Sequence, residues 1–186
     1  MSKSKIVYQN VDARQIAFSI MDDMAEKEEI NSLQVVGSLR RGEDIVNDID
    51  ILCIPNHLGS STYAMSIWVS YLEKKGYEIE SAGVNRIIAR DMGGTGGYGE
   101  YPYRPDINIF FTEKDSFGAA LMHTTGPSRY NIRKRYLVKN HIVDKPNWKL
   151  NEKGLYNDEG VKMGGWTEED IYETLGWAYC PPYMRE

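Results

Sequence analysis

The chain has 186 residues, a formal net charge of −5 at pH 7 and two cysteines. This length suits one domain, or two small lobes that share a cleft, and the negative charge argues against a protein that coats nucleic acid without specificity. The basic residues 1–5 are not followed by the apolar core of a signal peptide, and no apolar stretch approaches the ~20 residues that span a bilayer. We therefore expect no membrane partner.

The two cysteines indicate a reducing environment. Cys53 lies in an apolar run that is typical of a buried strand, where a free thiol is the expected state. The spacing between Cys53 and Cys180 offers no zinc site. We therefore expect an intracellular, cytoplasmic protein.

The first predicted element is a helix from Ala13 to about Ile30, which Asp12 or a neighbour could cap. Its apolar residues recur at helical spacing, and they are Ile16, Ala17, Ile20, Met21 and Met24. We predict that the helix ends in the acidic run 26–29.

Two strands joined by a tight turn are predicted next. β-Branched and aliphatic residues at 35–36 and 49–52 indicate strands on either side of a segment that contains Gly37, Ser38 and an arginine pair, Arg40 and Arg41. Gly37 and Ser38 end the first strand and open a short helix. The free N–H groups of such a helix, together with the serine hydroxyl, suit phosphate oxygens. The turn therefore predicts a phosphate site.

Asp48 and Asp50 stand at the start of the second of these strands. Residues two apart on a strand face the same side, so both carboxylates lie within reach of one metal ion. Two like charges this close raise each other's pKa unless a cation lies between them. Mg²⁺ is such a cation, because it prefers carboxylate, water and phosphate oxygens. A strand that merely ends in two solvated acids would explain neither the Gly-Ser turn nor the arginine pair.

The middle of the chain is predicted to complete a sheet. The pattern indicates a helix from Ser61 to Lys75 and strands over Tyr77–Ala82, Val84–Asp91 and Asp106–Phe111. A glycine-rich run at 93–99 lacks the Lys-Ser/Thr end of a phosphate-binding loop and indicates a hairpin tip. This order of elements predicts a mixed α+β fold, in which helices back one face of a mixed sheet.

A two-metal transfer reaction needs a third acid from a neighbouring strand, because its two ions lie about 3.5–4 Å apart. Asp106 opens a β-branched strand and is the favoured candidate, whereas Asp91 at a strand end is its competitor. With Asp48 and Asp50, a third carboxylate would complete a site for phosphoryl or nucleotidyl transfer.

A change in composition near 123–127 marks a predicted boundary between a domain at 1–122 and a small C-terminal α/β lobe at 123–186. We predict three helices in this lobe, over Ser128–Lys139, Trp148–Tyr156 and Thr167–Leu175. The segment 129–153 has eight basic and two acidic side chains, so it carries +6 and the rest of the chain −11. Such a run is either a solvated helix face or a contact for a phosphate backbone, and the neighbouring phosphate site favours the contact.

These motifs together resemble the palm and nucleotide-binding lobe of the family X DNA polymerases, the DNA polymerase beta-like nucleotidyltransferases. The resemblance extends from about residue 10 to the C-terminus and includes these segments: Gly37-Ser38-x-Arg40-Arg41-Gly42, Asp48-x-Asp50, Glu100-Tyr101-Pro102-Tyr103-Arg104 with Asp106-Ile107, Thr125-Gly126, Asn131, Arg135, Asn151-Glu152 and the tail 169–185. The plan is similar to that of minimal viral members, and we expect neither the family's lyase domain nor its helix-hairpin-helix lobe.

The resemblance implies a role for each matched residue. Asp48 and Asp50 would bind two Mg²⁺ ions, which Mn²⁺ can replace, and Asp106 would bind only the ion that activates the primer 3′-hydroxyl. The implied nucleotide contacts are Gly37, Ser38, Arg41 and Asn47 for the phosphates, Thr125 and Gly126 for the sugar, and Asn131 for the base edge. His123 is a further candidate that departs from the family pattern, because its imidazole could hydrogen-bond the sugar or the triphosphate. Arg135 would contact the template or primer strand. The basic segment 129–153, read from its charge, adds Arg129, Arg133 and Lys134 as predicted DNA contacts.

Two of the departures from the family pattern concern the nucleotide and metal sites. His123 and Thr124 stand where the family often has two aromatic residues against the sugar. Asn108 stands where many members carry an arginine, so Glu152 is expected to lose its usual partner.

The leading hypothesis is a DNA-directed DNA polymerase that uses dNTPs on primer-template or gapped DNA, as a monomer, in the cytoplasm or in a virus-infected host cell. The first alternative is a nucleotidyltransferase that works without a template or on a non-DNA hydroxyl, such as a single-stranded 3′ end, a protein or a small molecule. The acidic total charge favours this alternative. The second alternative is a nucleotide-sensing or DNA-binding relic without activity, against which the full set of three acids argues.

Overall fold

The structure, a computed structural model, describes residues 8–56, 61–91, 104–140 and 147–186. The helices in this part are α1 (Asn10–Ala25), α2 (Gly37–Arg41), α3 (Ser61–Lys74), α4 (Phe117–Thr125), α5 (Ser128–Asn140) and α6 (Glu168–Leu175). The strands are β1 (Tyr8–Gln9), β2 (Ile30–Val35), β3 (Ile45–Val46), β4 (Asp48–Pro55), β5 (Tyr77–Gly83), β6 (Arg86–Asp91), β7 (Asp106–Phe111), β8 (Lys149–Asn151), β9 (Gly154–Tyr156) and β10 (Lys162–Gly164). The predicted glycine-rich hairpin tip lies outside the described residues.

A five-stranded sheet in the order β2-β4-β7-β6-β5 forms the centre of the fold. The β4–β7 pair is parallel and the other three pairs are antiparallel, which confirms the predicted mixed sheet. The strands β8, β9 and β10 form a separate antiparallel sheet, and β1 pairs with β3. The parallel pair brings the first residues of β4 and β7 to the same edge of the large sheet.

The main hydrophobic core lies on one face of this sheet. Alternate residues of β4 and β7 point into it, because side chains on a strand alternate between the two faces. Helices α1 and α3 cover this face with their apolar stripes, as the periodicity predicts. The fully buried members of the core include Ala13, Ala17, Met24, Ala64, Trp68, Leu72, Ile49, Ile51, Cys53, Ile107 and Ile109. The burial of Cys53 is as expected, and burial raises the pKa of its thiol to about 12.

Helix α4 was not predicted, and it covers part of the opposite face of the sheet. Ala120 and Leu121 pack against Leu52 of β4, whereas Ala119 and Met122 of the same helix belong to the core of the C-terminal lobe. The predicted boundary at residues 122/123 therefore falls inside a helix that two cores share. The division into two domains stays a prediction.

Two predicted elements of the chain were wrong. The first helix ends at Ala25 instead of about Ile30, because the charged residues 26–29 have no apolar face and Ile30 already pairs with Pro55 in the sheet. The segment Trp148–Tyr156 forms a hairpin instead of a helix. Its turn is stabilised by the Asn151 side chain, whose Oδ1 accepts hydrogen bonds from two backbone N–H groups of the turn.

The predicted start of α6 at Thr167 is confirmed. Thr167 accepts a hydrogen bond from the backbone N–H of Asp170, whose side chain accepts one from the backbone of Thr167. Gly118 of α4 lies directly against this cap, since a Cβ atom at Gly118 would be 2.0 Å from the carbonyl carbon of Thr167. The two helices can therefore approach this closely only with glycine at this position. None of the helices in the described ranges combines the length and the apolar character that crossing a bilayer needs.

Candidate active site

Four polar side chains share the face of the sheet that carries α4. Asp48 lies opposite Asp106 in the parallel β4–β7 pair, and Asp50 lies opposite Asn108. Because residues two apart on a strand face the same side, the three predicted aspartates emerge from one face at one edge of the sheet. The expected convergence of strands therefore holds at the level of the backbone.

The carboxyl group of Asp50 lies in an environment that disfavours its charged form. Burial, followed by the neighbouring charge of Asp48, raises the pKa of Asp50 to about 6. Asn108 opposes this shift, because its Nδ2 donates a hydrogen bond to Asp50 Oδ1 at 2.8 Å and lies 3.4 Å from Asp48 Oδ2. The raised pKa indicates that the protein groups around Asp48 and Asp50 do not fully neutralise the negative charge of the two carboxylates. Oxygen ligands of this kind suit a hard divalent cation.

The helix α2 begins against the same carboxylate. Gly37 has φ +62°, and a Cβ atom at this position would lie 2.0 Å from Asp50 Oδ2. The backbone N–H of Val36 also donates to the Asp50 carbonyl at 2.9 Å. Only glycine can occupy this position, so the predicted phosphate turn and the predicted metal ligands are in contact. Ser38 follows Gly37 in α2, and Asn47 is exposed immediately before Asp48.

Asp106 has other partners. Its Oδ2 accepts a hydrogen bond from Arg90 Nη1 at 2.7 Å, and its Oδ1 accepts one from the backbone N–H of Asp91 at 3.0 Å. Among the residues that the structure describes, no three His, Cys, Asp or Glu side chains are arranged to hold a metal ion. The competitor Asp91 is buried in an ion pair with Arg104 at 3.0 Å, which favours Asp106 as the third acid.

Arg40 and Arg41 connect the phosphate turn to the end of α4. Arg41 Nη1 donates to the carbonyl oxygen of Thr125 at 2.5 Å, and its guanidinium also pairs with the carboxylate of Glu43. Arg40 Nη1 donates to Thr125 Oγ1 at 2.7 Å. Thr125 is completely buried, and Gly126, with φ +64°, would place a Cβ atom 3.5 Å from Arg41 Nη1. The predicted phosphate and sugar residues thus lie side by side.

A buried ion network behind Arg40 was not predicted. Glu168 accepts hydrogen bonds from Arg40 at 2.7 Å and from Arg185 at 2.8 Å. Burial by itself would raise the pKa of Glu168, but the hydrogen bonds from the two arginines outweigh it and hold the pKa below its usual range. The network links α2, α6 and the C-terminal tail. Its only signal in the sequence is a glutamate directly after the α6 cap residue.

A second polar group lies at the end of α4. Its members are His123 of α4 together with Asn131, Arg135 and Glu152. Asn131 Nδ2 donates to the His123 carbonyl at 2.7 Å, and Arg135 Nη2 lies 2.9 Å from His123 Nδ1. Desolvation, followed by the Arg135 charge, lowers the pKa of His123. Because a guanidinium only donates, the His123 ring is neutral and accepts at Nδ1. Arg135 also pairs with Glu152 at 3.8 Å, so Glu152 has another partner in place of the arginine that Asn108 replaces.

The basic residues of α5 divide into two kinds. Arg129 and Arg133 are exposed. Lys134 instead faces the core of the lobe, where its Nζ lies 4.4 Å from the ring centroid of Trp177 and also contacts Tyr130 and Tyr172. Burial lowers the pKa of Lys134. The ammonium group of Lys134 is directed towards aromatic rings, which argues against the expected DNA contact, and this contact stays a prediction.

A cleft of about 410 Å³ opens beside these groups, between the large sheet and the β8–β9 hairpin. Its walls include Phe110, Arg86, His123, Glu152 and Lys153. Phe110 lies two residues beyond Asn108 on the same strand face. The cleft therefore continues the carboxylate face of the sheet towards the lobe, and it is large enough for part of a nucleotide.

Comparisons with known proteins agree with this arrangement. Residues 120–186 match the family model "DNA polymerase beta thumb". The Repair DNA polymerase X of African swine fever virus is 28% identical over 156 residues, which are 83% of this chain and 81% of the viral protein. The DNA polymerase/3′-5′ exonuclease PolX of Bacillus subtilis is 22% identical over 175 residues, which are 94% of this chain and 28% of the bacterial protein.

The fold is also similar to a solved structure. The crystal structure of Leishmania infantum polymerase beta in a ternary P/T complex has a TM-score of 0.79 to this chain and 18% sequence identity. The alignment covers 97% of this chain and 77% of the Leishmania chain. At this identity the similarity concerns the fold, and it includes both the large sheet and the C-terminal lobe.

Proposed function

We propose that the chain is a DNA-directed DNA polymerase of family X that fills gaps in the repair of DNA, and the similarity to polymerases of that family supports this. The reaction is in-line attack of a primer 3′-hydroxyl on the α-phosphorus of a dNTP, with loss of pyrophosphate. The observation that carries the proposal is the contact between Gly37 at the start of α2 and the Asp50 carboxylate, which joins a phosphate turn to a metal-binding strand.

The donor groups fit divalent cations. Asp48 and Asp50 would hold two Mg²⁺ ions, which Mn²⁺ can replace, and Asp106 would hold one of them. The fit rests on the chemistry of the carboxylates and on the raised pKa of Asp50, which a cation would bring down again. Bound there, the ions would supply charge neutralisation and a lowered pKa for the 3′-hydroxyl. The protein's own part is to keep the acids on one strand face and to position them against α2.

The phosphate turn would hold the triphosphate through four residues: Gly37, Ser38, Arg41 and Asn47. Arg41 is prepared for this role, because it is fixed by the Thr125 carbonyl and has a carboxylate partner, Glu43, that a phosphate oxygen can replace. A guanidinium binds such an oxyanion through two parallel hydrogen bonds. Positioning and charge neutralisation are the main contributions to catalysis in this class of reaction.

The C-terminal lobe would hold the sugar and the base. Thr125 and Gly126 would line the sugar, Asn131 would contact the base edge, and His123 would accept a hydrogen bond from a ligand hydroxyl or donate one from its other ring nitrogen. The arginines Arg129, Arg133 and Arg135 would contact DNA phosphates. With so few phosphate contacts, DNA affinity should fall several-fold between low and physiological salt.

The test is primer extension on a gapped duplex with each dNTP in turn. We expect incorporation of the complementary dNTP alone, dependent on Mg²⁺ or Mn²⁺. Asp106→Ala should abolish incorporation and leave dNTP binding intact. An inactive wild-type protein with both metals would refute the proposal.

A transferase that works without a template is the second candidate. The net charge of −5 favours it, as does the inward position of Lys134, which removes one cation from the surface of α5. Addition of all four dNTPs regardless of the opposing base, or addition to a single-stranded 3′ end, would establish it instead.

We also propose that the protein works as a monomer in the reducing cytoplasm, including that of a virus-infected host cell. Both cysteines are free, and Cys53 is buried in the sheet. Analytical ultracentrifugation would test the monomer, and fractionation of the producing cell would test the location.

A further inference from the structure

The third carboxylate of the site is held by an arginine from the neighbouring strand. Arg90 of β6 donates to Asp106 Oδ2 at 2.7 Å, while the backbone of Asp91 occupies Oδ1 at 3.0 Å. Both oxygens are therefore engaged by donors from β6. A divalent cation at Asp106 would need at least one of them.

Arg90 has a second acidic partner. Its Nε pairs with the carboxylate of Glu80 on β5, and the hydrogen bond that Arg90 donates to Glu80, with a smaller contribution from Asp106, raises the pKa of Arg90. The Arg90 side chain is 42% exposed, so it has room to move. A guanidinium that leaves Asp106 would keep an ion pair with Glu80.

Arg104, unlike Arg90, is held in place by several partners. It is only two residues before Asp106, yet its side chain is 3% exposed, paired with Asp91 and stacked on Tyr77 at 4.2 Å. Its guanidinium also donates to two backbone carbonyls, of Lys75 and Gly76. Arg104 is thus fixed, and Arg90 is the arginine that can exchange partners.

We propose that Arg90 is a positioning residue that holds the Asp106 carboxylate in the metal-free protein and releases it to the second divalent cation, with Glu80 retaining the guanidinium. This inference rests on the proposed two-metal function. Its physical basis is competition, because a guanidinium and a metal ion cannot occupy the same carboxylate oxygen, and two cations at that distance repel each other.

The experiment is a titration with Mn²⁺ followed by electron paramagnetic resonance, without DNA or nucleotide. Arg90→Gln should bind Mn²⁺ about three-fold more tightly, the ratio expected from removing a partly exposed ion pair. Arg90→Lys, which keeps the charge, should remain close to the wild type. Glu80→Gln should weaken Mn²⁺ binding about two-fold, because Asp106 then becomes the only acidic partner of Arg90 among the described residues.

Two controls separate local competition from long-range charge. Lys74→Gln removes one positive charge at the exposed end of α3, on the other face of the sheet, and should leave Mn²⁺ binding unchanged. In an Asp106→Asn background, Arg90→Gln should have no further effect on the site that Asp48 and Asp50 retain.

Equal tightening by Arg90→Gln with and without Asp106 would overturn the inference, as would no tightening at all. These failures differ from failure of the proposed function. If the protein incorporates dNTPs but Arg90→Gln has no effect on Mn²⁺ binding, the proposed function stands and the role of Arg90 is refuted. A wild-type protein that binds no Mn²⁺ loses both.

Discussion

We predict that neutralising Asp50 stabilises the metal-free protein, because the raised pKa of this residue shows that the folded state disfavours its charge. Burial and the charge of Asp48 raise the pKa of Asp50 to about 6. At pH 7.5 the folded protein therefore contains a charged carboxylate whose free energy is higher than it would be in water. Asp50→Asn removes the charge and keeps the oxygen that accepts from Asn108 Nδ2 at 2.8 Å.

The size of the effect follows from the shift. A displacement from 3.8 to about 6 corresponds to about 3 kcal/mol at 1.36 kcal/mol per pKa unit. Because the Asp50 side chain is partly accessible to water, we discount this to about 1–3 kcal/mol. In a chain of this length each kcal/mol changes Tm by about 2–4 °C, so the variant should melt several degrees above the wild type in EDTA.

The stability penalty of Asp50 depends on pH. A folded-state pKa above the unfolded value means that the folded protein binds more protons between the two values, so the penalty of Asp50 is present above pH 6 and disappears as the pH falls towards 3.8. Denaturation experiments should therefore show that Asp50→Asn raises the free energy of unfolding at pH 7.5 and that this gain disappears at pH 4. Asp22→Asn, the same change at an exposed position of α1, serves as the control.

Saturating Mg²⁺ should reverse the order of stability, because the wild type gains from metal binding and Asp50→Asn does not. A less stable variant in EDTA, or a gain that is the same at both pH values, would refute the reasoning about the Asp48–Asp50 pair.

Three further predictions concern the surroundings of the site. Glu168→Gln should lower the free energy of unfolding by about 3–5 kcal/mol, since it leaves two arginines without a charged partner. Because the pKa of Glu168 is lowered, the stabilisation by its charge should be lost in acid, below pH 4.5. A destabilisation by Glu168→Gln that is equal at pH 3 and pH 7 would contradict this. Gly37→Ala should abolish incorporation and weaken Mn²⁺ binding, because its Cβ would lie 2.0 Å from Asp50 Oδ2; an active alanine variant would show that the turn can open. Arg133→Gln should reduce DNA affinity and lower the slope of log K against log salt by about one, whereas the same change at Lys134 should leave the slope unaltered.

The parts of the site that the sequence predicted depend on local rules. The common face of Asp48 and Asp50 follows from the two-residue period of a strand, and the cap of α6 at Thr167 follows from a four-residue pattern. The register that places Asp106 opposite Asp48 is a pairing between distant segments. No local rule predicts this register, and Asp106 was predicted as the third acid only from the chemical requirement for one and from the resemblance to a known family.

The parts that the sequence did not predict depend on partners far away in the chain. Arg40 meets Glu168 across 128 positions, and no local pattern specifies this pair. Lys134 was assigned to DNA from its charge alone, but three aromatic rings from both sides of the lobe surround it. Helix α4 was missed because its residues pack on two sides, against two cores, and therefore lack a clear apolar stripe.

Four arginines around the site each have a partner within the protein. The pairs are Arg41 with Glu43, Arg90 with Asp106 and Glu80, Arg86 with Asn108, and Arg135 with His123 and Glu152. Ligand binding is therefore an exchange of partners, and a ligand succeeds when it offers more charge than the group it displaces. A triphosphate has several negative charges against the single charge of Glu43, and a divalent ion has twice the charge of the Arg90 guanidinium. A monovalent cation or a monoanion offers no such surplus, so the internal pairs make the site selective for the highly charged ligands that nucleotidyl transfer requires.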